Sequence, residues 1–145
     1  MKKQHWFILL IIFIFSCKNE VIKTQRKISG TWQIDKIISE GNLPLVEKRE
    51  IKLGICEQSP LCSMSIETQK GSFTPTTWLI DENKTLMIND LGEIRDKFDF
   101  LMFSRWNYKL DENMLFLDGG YLATKDKNGV FIKCENCQVI LKRQK

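Results

Sequence analysis

The 145 residues carry a formal net charge of +4, with 28% of side chains charged. That is the size of one domain, and the basic excess is too small to single out a nucleic-acid partner. The chain's one histidine is His5, so everything downstream lacks imidazole, which excludes Ser-His-Asp and Cys-His nucleophiles, histidine general bases and histidine metal sites.

Lys2 and Lys3 precede an unbroken apolar run from Trp6 to Phe15, followed by Ser16, Cys17 and an abrupt switch to Lys18-Asn19-Glu20. A basic start, a short apolar core and a small residue at the break are the parts of a secretory signal peptide. As a helix the run rises only about 15 Å, half of the roughly 30 Å hydrocarbon core, which is too short for a membrane-spanning anchor. With a cysteine directly after the small residue, the segment resembles a bacterial lipoprotein signal, Ile14-Phe15-Ser16-Cys17 standing as the lipobox. The resemblance implies that residues 1–16 are removed and that Cys17 becomes a multiply acylated N-terminus attached to the membrane. At about 0.8 kcal/mol per buried CH₂, two or more chains anchor stably. Loss of Lys2 and Lys3 lowers the charge from +4 to +2. Lys18, Lys23, Arg26 and Lys27 then face only Glu20, and residues 17–28 read as a lipidated polar tether. A solvated linker is the expectation; contact of its cations with anionic lipid is the alternative.

Residues 29–145 read as one all-β domain. Ile28, Gly30, Trp32 and Ile34 alternate with Ser29, Thr31, Gln33 and Asp35, the period of a strand with one buried face. Residues 44–53 fit a short helix or a strand. Asp81-Glu82-Asn83 and Asp111-Glu112-Asn113 each interrupt two apolar segments and predict hairpins. Asn128-Gly129 predicts a third, supplying the positive φ that tight turns require. Phe98–Phe103, Met114–Leu117 and Val139–Leu141 are apolar on both faces, where a sheet with one wet face would alternate. Internal cover of the second face is the expectation, an exposed patch for a partner the alternative.

Gly30-Thr31-Trp32 at the start of the first strand, with hairpins leading to a last strand through Val139-Ile140-Leu141, resembles the lipocalin-like domains of small bacterial lipoproteins. The resemblance implies a small antiparallel meander closed into a barrel of about eight strands. It also implies that Trp32 plugs the closed end, with Gly30 allowing close backbone approach. The family's second signature, Thr-Asp-Tyr, is absent, and the arginine that packs on the tryptophan is not placed by the sequence.

Cys56, Cys62, Cys134 and Cys137 form an even set in an exported chain and predict two disulfides, with three connectivities open. Local pairing is the simplest, Cys134–Cys137 then clasping a Glu135-Asn136 hairpin. A redox dithiol at Cys134-x-x-Cys137 would need a helix N-terminus where the sequence is strand-like. A four-thiolate zinc site would need tighter spacing than Cys56–Cys62 gives.

No nucleophile elbow, phosphate loop or calcium loop is present, and the carboxylates fall in predicted turns, so no enzyme activity, cofactor or metal is expected. Two functions remain. In one, the barrel takes a small apolar ligand, with Trp78, Phe98, Phe100, Trp106, Phe116 and Tyr121 as wall residues. In the other, it is a non-catalytic structural or interaction subunit docking an envelope protein. The envelope, and within it the outer membrane of a Gram-negative bacterium, is the expected location. Lys18-Asn19-Glu20 is only a fragment of the acidic cluster that resembles a surface-export signal, so the leaflet stays open.

Overall fold

The computed structural model describes residues 20–39, 43, 48–56, 61–67, 73–81, 83–92 and 97–145. A helix, α1 (20–28), leads into eight strands: β1 (Gly30–Ile38), β2 (Glu50–Leu53), β3 (Cys62–Glu67), β4 (Phe73–Ile80), β5 (Leu86–Ile88), β6 (Phe100–Asp111), β7 (Met114–Lys125) and β8 (Phe131–Arg143). Each strand pairs antiparallel with the next, and β8 returns to β1, closing an eight-stranded barrel. The lipobox, the signal and Cys17 lie outside the described residues, as does the 44–47 part of the segment read as helix or strand; its end, Glu50–Leu53, is strand.

Alternation decides what enters the core. In β3, Cys62, Met64 and Ile66 are buried while Ser63 is exposed, and in β7 Leu115 and Leu117 are buried between half-buried neighbours. The outer apolar residues have internal cover of a simple kind. Lys36, Ile140, Phe116 and Lys109 lie side by side across β1, β8, β7 and β6, so two apolar side chains are flanked by two lysines. Lysine stems cover apolar surface while their ammonium groups stay wet.

Closing eight strands needs bends, and the sheet takes them in one line. Ser104 on β6, Gly119 on β7 and Asn136 on β8 all have positive φ, at 79°, 84° and 60°. The pairing register shifts beside each of them. An extra residue on one strand sharpens its local twist and turns the sheet. Cys134–Cys137 bridges the β8 irregularity within a continuous strand, so the expected Glu135-Asn136 hairpin is a kink instead. Asn136 adopts the left-handed conformation that asparagine tolerates, and the strand continues past it. The second bridge, Cys56–Cys62, is also local.

All three predicted turns are present. Asp126 Oδ1 accepts from the Asn128 and Val130 amides, and Gly129 takes φ 78°, while Asn128 stays out of the positive region. Asp81 Oδ1 accepts from the Asn83 and Thr85 amides at 3.0 and 2.9 Å, and Arg105 stands 3.6 Å from Oδ2. The Thr85 amide is the largest cause holding the Asp81 carboxyl below its ordinary value of 3.8. A depressed carboxyl stabilises the fold above its unfolded value and loses that contribution as pH falls through the folded one. Asp81→Asn is therefore expected to cost roughly 0.5–1.5 kcal/mol at pH 7. Melting curves of variant and parent should converge as the pH drops below 3.8.

The tether departs most from expectation. From residue 20 it is helix, with Gln25 and Ile28 buried at 6% and 0% exposure and Val21 and Thr24 half-buried. These four positions share one helical face. Only two are apolar, and this is why the sequence reads as a solvated linker.

Candidate functional site

The barrel has two unlike ends. At one, the N-terminus of β1 meets the C-terminus of β8, with Trp32 opposite Arg143. The Trp32 indole is fully buried and donates from Nε1 to the Ile28 carbonyl at 2.8 Å, fixing the end of α1. The Arg143 guanidinium lies 4.2 Å from the indole centroid, a cation–π distance. Its Nη1 donates to the Ser29 carbonyl at 2.9 Å and its Nη2 to the Lys27 carbonyl. A positive charge on the last carbonyls of a helix satisfies orphan acceptors and opposes the macrodipole. Gly30 has φ 137°, and a Cβ there would stand 2.7 Å from Arg143 Nη1, so a side chain would displace the clamp. Tyr108 of β6 lies beside Thr24 of α1, and burial pushes its phenol above the ordinary value. Helix, tryptophan and arginine thus form one plug, completed by the end of β2, where Ser29 Oγ donates to the Gly54 carbonyl.

The structure sets Gly30 and Trp32, the residues that the resemblance assigns to barrel closing, at the end where β1 meets β8. Arg143 was missed. Its available signal was the closure itself: if the last strand pairs antiparallel with the first, a basic residue at its C-terminal end falls opposite Trp32.

The interior beyond the plug is solid where it is described. Trp78 and Trp106 have no exposed surface, and Leu115, Leu117, Leu122, Val139 and Leu141 have at most 1%. A side chain facing a hollow of water size is exposed to that hollow, so these residues face none. Of the six predicted wall residues, Trp78, Phe100 and Trp106 come together in this core. Phe116 and Tyr121 are corrected to the outer face, because they alternate with the inward Leu117 and Leu122. Tyr121 there stacks on Phe103 with centroids 4.2 Å apart. Phe98 is half-buried just before β6.

At the other end, the mouth, Arg49 reaches from the start of β2 to Asp99 before β6, Nη2 to Oδ2 3.0 Å. Its side chain is 9% exposed, and the guanidinium stands 5.2 Å from the Phe100 ring centroid. Since β2 and β6 are on opposite sides of the ring of strands, the pair ties the mouth across its width. Beside it β5 is only three residues long, leaving Phe100–Phe103 of β6 without a strand partner on that side among the described residues. A hollow lies in this gap, lined by Ile66, Thr76, Asn89, Leu91 and Phe100–Phe103, with about 10 Å³ free, room for a single water.

No family model, curated protein or solved structure matches the chain. Its reading therefore rests on its own residues. All four thiols downstream of Cys17 are in disulfides, and among the described residues no cluster of three metal-binding side chains forms.

Proposed function

We propose that the protein is an exported, lipid-anchored, non-catalytic envelope component. In this reading a lipocalin-like barrel, held to the membrane through Cys17, serves as a rigid scaffold for a protein partner. The observation that carries the scaffold reading is the filled interior: three tryptophans with no exposed surface occupy the volume that a carrier barrel leaves to its cargo. The eight-stranded closure, Gly30 under Arg143 and the Trp32 plug support the lipocalin-like reading. The run from Lys2 to Cys17 supports export and acylation.

A second reading, capture of a small apolar ligand, is favoured by the mouth alone. The hollow between β4 and β6 is mainly apolar and sits where the wall is thinnest, but it holds one water and no more. Native mass spectrometry of residues 18–145, exported to a bacterial periplasm and purified without detergent, separates the two. The scaffold reading expects a bare chain. A dissociable small-molecule adduct would replace it with the carrier reading, and the adduct's mass would give the substrate class.

A further inference from the structure

The helix that seals the barrel is also the first element after the acylated cysteine. Only Lys18 and Asn19 separate Cys17 from residue 20, where α1 begins. Three residues of chain span at most about 11 Å. The plug fixes α1 to the barrel through the Trp32 indole on the Ile28 carbonyl and the Arg143 guanidinium on the Lys27 and Ser29 carbonyls. A lipid on Cys17 therefore holds the plugged end close to the bilayer, with no long linker to let the barrel turn over.

The outward surface of that end has matching chemistry. Val21, Thr24, Gln25 and Ile28 face the barrel, leaving Ile22, Lys23, Arg26 and Lys27 exposed along the opposite side of α1. Three cations and one isoleucine, 42% exposed, share this face. The only acid of α1 is Glu20 at the helix start, and the exposed Asp111 and Glu112 of this end are at the β6–β7 turn, on a different element. Next to the end of α1, Ile55 and Leu61, each directly before a cysteine of the Cys56–Cys62 bridge, are 61% and 45% exposed. Three of the five most exposed large apolar side chains among the described residues are thus at the plugged end. Cations beside exposed aliphatic residues are the composition of a surface that lies in an anionic lipid interface.

We infer that the plugged end is a membrane-docking face. Lys23, Arg26 and Lys27 meet anionic headgroups while Ile22, Ile55 and Leu61 enter the interface, and the mouth points away from the bilayer. This rests on the proposed anchoring at Cys17 for its setting, yet the face can be tested without the lipid. At about 1 kcal/mol per cation, three cations strengthen partitioning onto anionic lipid roughly 100-fold.

The test is sedimentation of the unacylated mature chain, residues 17–145, with phosphatidylglycerol-containing vesicles and with pure phosphatidylcholine vesicles. The expected result is binding to the anionic vesicles that weakens with salt, and that falls by more than about 100-fold when Lys23, Arg26 and Lys27 are all changed to Glu, since each change removes an attraction and adds a repulsion. Changing Lys97, Lys127 and Lys133 near the mouth to Glu should leave most of the binding in place. These are exposed positions, so both variants are expected to keep the parent's melting temperature. Equal affinity for the two vesicle types, or loss of binding in the mouth variant in place of the α1 variant, would overturn the inference. So would shielding of Lys23 and Lys27 from an amine reagent in native envelopes but not on vesicles, which would assign the face to an acidic protein. Because no arm needs acylation, failure of the lipid anchor and failure of the docking face give separate results.

Discussion

Trp32→Ala is expected to lower stability by about 3–5 kcal/mol, the usual cost of truncating a fully buried tryptophan. Three effects coincide at that side chain. The indole is buried completely, its Nε1 ties down the Ile28 carbonyl, and its face supports the Arg143 guanidinium. Removing it also frees α1, so the amides of residues 24–28 should lose their slow hydrogen exchange while those of β7 and β8 keep theirs. Arg143→Ala should cost less, about 1–3 kcal/mol, because its charge is partly open to solvent and its losses are hydrogen bonds to two carbonyls. The double variant should cost less than the sum of the singles, since both act on the same helix end. Urea melts of the four proteins measure this. A Trp32→Ala cost below 1 kcal/mol, or strict additivity, would mean that the plug is not a single unit.

Gly120→Ala is the second large effect. The Cβ of an alanine here would fall within the indole of Trp106, in a row that continues to the buried Cys137 of β8. Neither the tryptophan, with no exposed surface, nor the strand beside the Gly119 kink has space to give. Overpacking in a dense core commonly costs 1–3 kcal/mol, and overlap with a rigid ring belongs at or above the top of that range. The expected loss is about 3 kcal/mol or more. Trp106→Leu, which is destabilising alone, should partly rescue Gly120→Ala, and that rescue separates steric overlap from a general intolerance of the strand to substitution. A Gly120→Ala variant as stable as the parent would show that the indole does not lie against this backbone.

The fold was legible where local chemistry decided it. Asp81, Asp111 and Asn128-Gly129 marked their hairpins because short polar side chains and glycine suit turn geometry wherever they occur. Period-two alternation marked β1. What escaped were features made by distant pairing. Arg49 looks like any charge in a mixed stretch until closure of the barrel sets it across the mouth from Asp99. Arg143 gains its role only when β8 returns to β1. The helix escaped for a different reason: half of its buried face is polar, with Gln25 and Thr24 in places where a periodicity reading looks for leucine or valine. The predicted wall residues were partly legible. Strands apolar on both faces give no way to tell inward from outward, so Phe116 and Tyr121 joined Trp78 and Trp106 until register separated them.

The two ends give the barrel a direction. One end is sealed by indole and guanidinium, bears the helix nearest the proposed acylation site and presents cations with aliphatic side chains. The other carries the Arg49–Asp99 tie, the thin wall beside β5 and the β7–β8 turn.

The account depends most on the anchor, and the intact mass of the protein extracted from envelope membranes tests it most directly. The predicted mass is that of a chain beginning at Cys17, enlarged by a diacylglyceryl group and an N-terminal acyl chain, and four hydrogens below the value for free thiols at Cys56, Cys62, Cys134 and Cys137. A mass that retains residues 1–16, or a chain beginning at an unmodified Cys17, would contradict it.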